Sequence, residues 1–176
     1  MTRYAIIPER SQVWIDARSN VHPIHSETSG LEGYVDLSFA PGGSVDLDSS
    51  PTGRLSLAVG RLRSGNRLED RELQKRIEAQ RHPRIEGVLS QVSPNGAQGY
   101  RVSGDVIFRG VSRRHEDVME IEPIDERTVR LTGSSRFDIR DFGMQPPKVL
   151  LLKVEPEVDV RVEIVAVRDG AGGADE

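Results

Sequence analysis

Apolar residues recur at every second position in run after run of this chain. Val13, Ile15 and Ala17 alternate with Gln12, Asp16 and Arg18; Val35, Leu37 and Phe39 repeat the pattern, as do Leu55, Leu57 and Val59. The second half continues it with Tyr100, Val102, Val106 and Phe108, then with Val129, Leu131, Phe137 and Ile139. The longest run is Val158, Val160, Val162, Ile164 and Ala166. A period of two marks strands with one buried and one wet face. Between the runs lie Pro41-Gly42-Gly43, Ser50-Pro51-Thr52-Gly53 and Ser93-Pro94-Asn95-Gly96, which are turn signals at sheet-like spacing. Short successive connections favour antiparallel neighbours. The pattern predicts an all-β chain and leaves two architectures open, a sandwich or a closed barrel.

One stretch departs from alternation. Asn66 to Gln80 is rich in helix formers, with Leu73 and Ile77 on one face. Asn66 is placed to cap the first turn and Glu69 to reach back to it, a capping-box arrangement. His82-Pro83 should end the helix, because the residue before proline is pushed towards extended backbone. A single helix in such a chain most simply closes or flanks a barrel end. Asp169 to Glu176 is Gly-rich and acidic, and is expected to be a disordered tail after one domain spanning 1–168.

Composition narrows the function. With 36% hydrophobic and 30% charged residues the chain reads as a soluble globular protein. A net charge of −4 gives no reason to expect strong attraction to nucleic acid or to an anionic membrane, and no stable membrane insertion is expected. Arginine outnumbers lysine 21 to 3, but the arginines are scattered along the chain. The absence of cysteine excludes disulfides, thiolate metal sites and cysteine nucleophiles. No apolar run of signal-peptide length opens the sequence, and Val149 to Leu152 is too short to span a bilayer, so a cytoplasmic location is expected.

Catalytic motifs are weak. No Gly-x-Ser-x-Gly elbow occurs, and Asp141-Phe142-Gly143 lacks the nucleotide and catalytic loops that accompany that tripeptide in kinases. His22-Pro23-Ile24-His25, with Glu27 close by, is the metal candidate. Residues three apart on a straight strand point to opposite faces, and two histidines do not close a site, so no metal or other cofactor is expected. His82 is expected at the helix end and His115 on a strand surface.

Four blocks, in this order, resemble the YceI-like family. They are His25 through Tyr34, Arg67-Leu68-Glu69-Asp70-Arg71-Glu72-Leu73, Gly104 through Val111, and Phe137-Asp138-Ile139-Arg140-Asp141-Phe142-Gly143-Met144. The resemblance covers approximately residues 4 to 167, and the doubled histidine departs from the commonest family pattern. It implies an antiparallel, lipocalin-like closed β-barrel of about eight strands, with the helix near one mouth, that binds, stores or transports a polyisoprenoid or similar long-chain amphiphilic lipid without catalysis. On that reading Val13, Ile15, Leu55, Leu57, Leu73, Val106, Phe108, Phe137, Ile139, Phe142, Val160 and Val162 line an apolar cavity. His25, Arg67, Arg71 and Arg140 are the polar mouth, where arginine suits phosphate through its planar fork of donors. Asp70 and Asp141 are structural partners for these arginines, since a carboxylate ending a buried row needs one. Two alternatives stand beside it: a protein-interaction barrel filled by its own side chains, and a metal enzyme built on His22, His25 and a carboxylate. Exposed edges or barrel mouths also leave room for a homodimer.

Overall fold

A computed structural model of the chain describes residues 1–97 and 99–170. Its strands are β1 (Thr2–Ile6), β2 (Gln12–Ser19), β3 (Ile24–Ser29), β4 (Glu32–Leu37), β5 (Thr52–Ala58), β6 (Arg84–Pro94), β7 (Tyr100–Phe108), β8 (Val111–Pro123), β9 (Thr128–Asp138), β10 (Lys148–Val149) and β11 (Leu152–Arg168). One α-helix, α1 (Arg67–Ile77), lies between β5 and β6. Neighbouring strands are antiparallel in the order β1-β4-β5-β6-β7-β8-β9-β11, and β11 pairs back onto β1, which closes a ring of eight. The closed barrel replaces the two architectures that alternation left open.

The additional strands arise because two staves of the barrel are each broken in the middle. β11 pairs with β1 through Ala166 to Arg168 and with β2 through Val154 to Glu163, so β1 and β2 share one side of it. β4 pairs with β1 and β3 with β2 in the same manner. The first break is a short 3-10 turn at Pro8–Arg10, and the second falls at Gly30, whose amide donates to Pro8 O at 3.0 Å. Proline there fixes φ and removes a ladder donor, which makes continuous pairing impossible.

The two halves of the barrel differ. In one half Tyr4, Val35, Leu37, Ile121, Val129 and Ile164 fill the interior and are buried. The loop after β4 covers that end: Phe39 meets Tyr4 edge-on, and Val45 N donates to the Tyr100 hydroxyl at 2.8 Å. The other half carries α1. Asn66 caps it, accepting from Leu68 N and Glu69 N at 3.0 and 3.3 Å. The reciprocal half of the expected capping box is not made: Asn66 N donates to Ser64 Oγ instead, and the Glu69 carboxylate turns towards His22.

The helix ends at Ile77 rather than Gln80, because Glu78 takes a left-handed conformation (φ +56) and its amide closes the last turn. His82 therefore lies beyond the helix, in a turn where its amide donates to Glu78 O. Strand β9 stops at Asp138, one residue before the expected end, since the Asp138 carboxylate accepts from Arg140 N and starts a 3-10 turn over Ile139–Phe142. Gly143 ends that turn at φ +71 as a left-handed cap. Asp169 and Gly170 follow β11 without regular structure, and the rest of the expected tail, 171–176, lies outside the described residues.

Candidate functional site

The half of the barrel beneath α1 encloses an apolar cavity of ≈ 330 Å³. All twelve side chains expected to line it do so. Val13 and Ile15 come from β2, Leu55 and Leu57 from β5, Val106 and Phe108 from β7, Phe137 from β9, and Val160 and Val162 from β11. Leu73 enters from α1, while Ile139 and Phe142 enter from the turn after β9. Alternation puts every second residue of these strands inside, which is why the sequence pattern finds them. Phe142 meets Phe108 edge-on at 5.6 Å, so the turn is pinned to the wall by aromatic contact.

Gly87 and Gly133 both face the cavity, and a Cβ on either would approach the facing side chain to 3.0 Å. Two further features leave this half less tightly tied. β3 has no ladder to β5 among the described residues, and the loop after β5 fills that gap, with Ser26 Oγ donating to Arg63 O at 2.8 Å. β8 pairs with β9 only from Met119 to Pro123, so the stretch Val111–Val118 leaves the ladder.

The seam beside Val111–Val118 is spanned by side chains. His115 stacks on Phe137 with ring centroids 4.4 Å apart and hydrogen-bonds Ser135 Oγ, and Arg113 Nε donates to Asp141 O at 2.9 Å. His115 is thus half-buried in the wall, not on a strand surface.

None of the four residues expected at the polar mouth lines the cavity. Arg67 and Arg71 are exposed on α1 and do not line the cavity. Helix geometry explains this: Leu73 and Ile77 take the inner face, which turns Arg67 and Arg71 outward. Arg140 pairs with Asp138 at 2.6 Å, outside the cavity. The hydrogen bond from Arg140 holds the Asp138 carboxyl below the usual carboxylate range. Asp141 is not the partner expected for it, because the 3-10 turn takes Asp141 off the inward row and leaves it exposed. Asp70 is structural, but its partner is Ser64, whose backbone N and Oγ both donate to it at 2.8 Å.

His25 lies on the outer face of β3 against Asp16, while His22 sits 3.5 Å from Glu69 at the start of α1. The two rings therefore point to different partners. Among the described residues no group of three or more His, Asp or Glu side chains converges.

The polar side chains that do border the cavity carry oxygen: Ser26, Ser64, Glu69, Asp70, Glu86, Asp117, Ser134 and Ser135. No arginine or lysine lines it among the described residues. The sequence reading missed this because charged residues in a helix start look alike until the buried face is known. Arg109 was also missed. From a left-handed turn position (φ +55) it donates to Arg76 O at 3.0 Å and Gly143 O at 2.7 Å, and pairs with Glu78 at 3.1 Å. One guanidinium thereby ties the end of α1, the β7–β8 turn and the turn after β9 together at the cavity end.

Comparison with known proteins agrees with this architecture. BcnA from Burkholderia cenocepacia superposes with a TM-score of 0.75 at 15% identity, covering 92% of this chain and 99% of that one. A polyisoprenoid binding domain from Saccharophagus degradans, implicated in plant cell wall breakdown, gives 0.71 at 10% identity, covering 96% and 99%. The YceI protein of Campylobacter jejuni gives 0.62 at 13% identity, covering 81% and 83%. No curated protein sequence matches the chain. The profile of the YceI-like domain matches residues 4–166, nearly the whole chain, and the protein belongs to the YceI-like family.

Proposed function

We propose that this protein is a non-catalytic carrier that holds the chain of a polyisoprenoid or similar amphiphilic lipid in its barrel. The observation that carries the reading is the apolar cavity of ≈ 330 Å³ under α1. That volume is at the lower end of the ~300–1,000 Å³ common for ligand pockets, which suits one flexible hydrocarbon segment. Affinity would come from apolar area removed from water at ~25 cal/mol per Å². The polyisoprenoid-binding relative from Saccharophagus degradans supports the ligand class. A barrel filled by its own side chains is disfavoured by the void itself.

The head group follows from what borders the cavity. Carboxylates and hydroxyls accept hydrogen bonds, and a phosphate drawn inside against Glu69, Asp70, Glu86 and Asp117 would meet like charge, with no arginine or lysine in the lining among the described residues. A neutral head with a donor, such as an alcohol, fits better than the phosphate that the arginines had suggested. The test compares geranylgeraniol with geranylgeranyl phosphate by fluorescence displacement, alongside native mass spectrometry of protein from its own source. The alcohol should bind more tightly, and Arg67→Ala, Arg71→Ala and Arg140→Ala should leave both ligands nearly unchanged. Leu73→Glu, which puts a charge into the apolar lining, should weaken the alcohol by roughly tenfold or more. Tighter binding of the phosphate, lost with those arginines, would restore the phosphate reading. Protein free of lipid and indifferent to both ligands would remove the carrier reading.

A further inference from the structure

The hairpin that joins β10 to β11 turns through Leu150 and Leu151, which are 92% and 85% exposed. Leu150 sits at φ +55, a left-handed conformation unfavourable for leucine, whereas two-residue hairpin turns ordinarily draw on Asn, Asp and Gly. Neither burial nor turn chemistry accounts for leucine at these positions. The flanking pair is as unusual. Lys148 and Lys153 face each other across the hairpin, and like charges directly opposite are unfavourable. They are two of the three lysines in the whole chain.

The tip has apolar company. Asn20 donates through Nδ2 to Leu151 O at 3.0 Å and accepts from Lys153 N at 2.6 Å, which fixes Val21, 63% exposed, beside it. Leu68, 55% exposed, begins α1, which packs next to β10 and carries the exposed Arg67 and Arg71. Lys148, Lys153, Arg67 and Arg71 make no ion pair among the described residues. Directly below the tip, Val149 and Leu152 line the cavity, so the lipid site runs up to this rim.

Four exposed apolar side chains with four free cations around them, at the end of the barrel where the cavity lies, match one surface. We propose that this rim seats reversibly on an anionic lipid bilayer, so that lipid passes between bilayer and cavity without crossing water. The proposal rests on the carrier reading above. The leucines enter the boundary of heads and acyl chains, and the cations stay at the level of the lipid phosphates. A net charge of −4 makes the rest of the molecule indifferent or averse to such a surface, so docking is local and oriented. A second copy is a poor occupant, because a two-fold contact through this patch would set the same cations against one another.

The test uses the full chain and flotation with vesicles of phosphatidylcholine alone or mixed with phosphatidylglycerol. Wild type should float with the mixed vesicles, less with the neutral ones and less in high salt. L150S/L151S should weaken association by roughly tenfold or more through lost apolar burial. K148Q/K153Q should remove about tenfold of the preference for phosphatidylglycerol. Both pairs are exposed, and circular dichroism melts should show them folded. No association of wild type with either vesicle, or full association of L150S/L151S, overturns the proposal. A concentration-dependent dimer in sedimentation that L150S/L151S abolishes also overturns it, because a second copy then covers the patch. Geranylgeraniol uptake in solution separates this from the carrier reading. L150S/L151S should match wild type there; uptake without vesicle association removes docking alone, and no uptake by wild type removes the carrier reading and docking together.

Discussion

Ser11 is fully buried at the break between β1 and β2, where it donates through Oγ to Ile7 O at 2.9 Å and accepts from Val165 N at 3.1 Å. The hydroxyl supplies β11 with an acceptor at the place where the interrupted stave offers no backbone carbonyl. Ser11→Ala should leave the Val165 N–H unsatisfied in the interior, a loss of roughly 1–3 kcal/mol. Urea unfolding with an unchanged slope and a lower midpoint is the expected result; an unchanged midpoint would mean that the break relaxes and re-pairs. Asp36 acts at the surface of the same end. Arg3 on β1 holds its carboxylate at 2.7 Å while stacking 3.8 Å over the Tyr34 ring. The hydrogen bond from Arg3 is the main cause that lowers the Asp36 pKa. A depressed carboxylate stabilises the fold fully above its unfolded value, near pH ~4, and loses that contribution as pH falls through its folded value. The stability gap between wild type and Asp36→Asn should therefore be constant from neutral pH to about pH 4 and close below it. A gap that does not narrow as the pH is lowered below ~4 until the fold is lost would assign the Asn effect to packing rather than charge.

Among elements, β8 is the most divided. Its Val111–Met119 stretch is paired with β7 and its Met119–Pro123 end with β9, so Met119 alone is bonded on both sides, and Val111–Val118 reaches β9 only through side chains. Within Val111–Val118, the amide hydrogens that point into the seam have no ladder partner, so they should exchange faster than the alternate amides bonded to β7. Equal protection of neighbouring amides along Val111–Val118 in residue-resolved hydrogen exchange would show that the seam is closed in solution. The same division explains why β8 did not appear in the alternation of the sequence. Its inward row reads Arg113, His115, Asp117, Met119, Ile121, polar until the packed half begins. β2, β5, β7, β9 and β11 were legible because apolar residues dominate their inward rows, even where Ser135 interrupts that of β9. The helix was legible from Asn66, Leu73 and Ile77, but its end was not, because a non-glycine left-handed cap at Glu78 carries no sequence signal.

At the scale of the molecule, periodicity settled which residues face inward and left open what they enclose. A filled core and an empty apolar cavity draw on the same residues, so alternation alone does not tell them apart. The arginines expected at the mouth stay out of the cavity lining for a related reason: one face of the helix takes every inward position, and Arg67 and Arg71 lie on the other. Ring closure was likewise beyond local pattern, because it is a contact between β1 and β11, the first and last strands of the ring.

That closure has a consequence for synthesis. β11 holds β9 on one side and both β2 and β1 on the other, so no ring exists on the ribosome until Arg168 has emerged. Until then every inward row made so far, from Val13 to Phe137, faces solvent or a chaperone. Contacts between the ends of a chain also form slowly, since they close the longest loop. A nascent chain stalled before Leu152 would carry most of the staves of this barrel and no vessel, with its sticky inner surface turned outward.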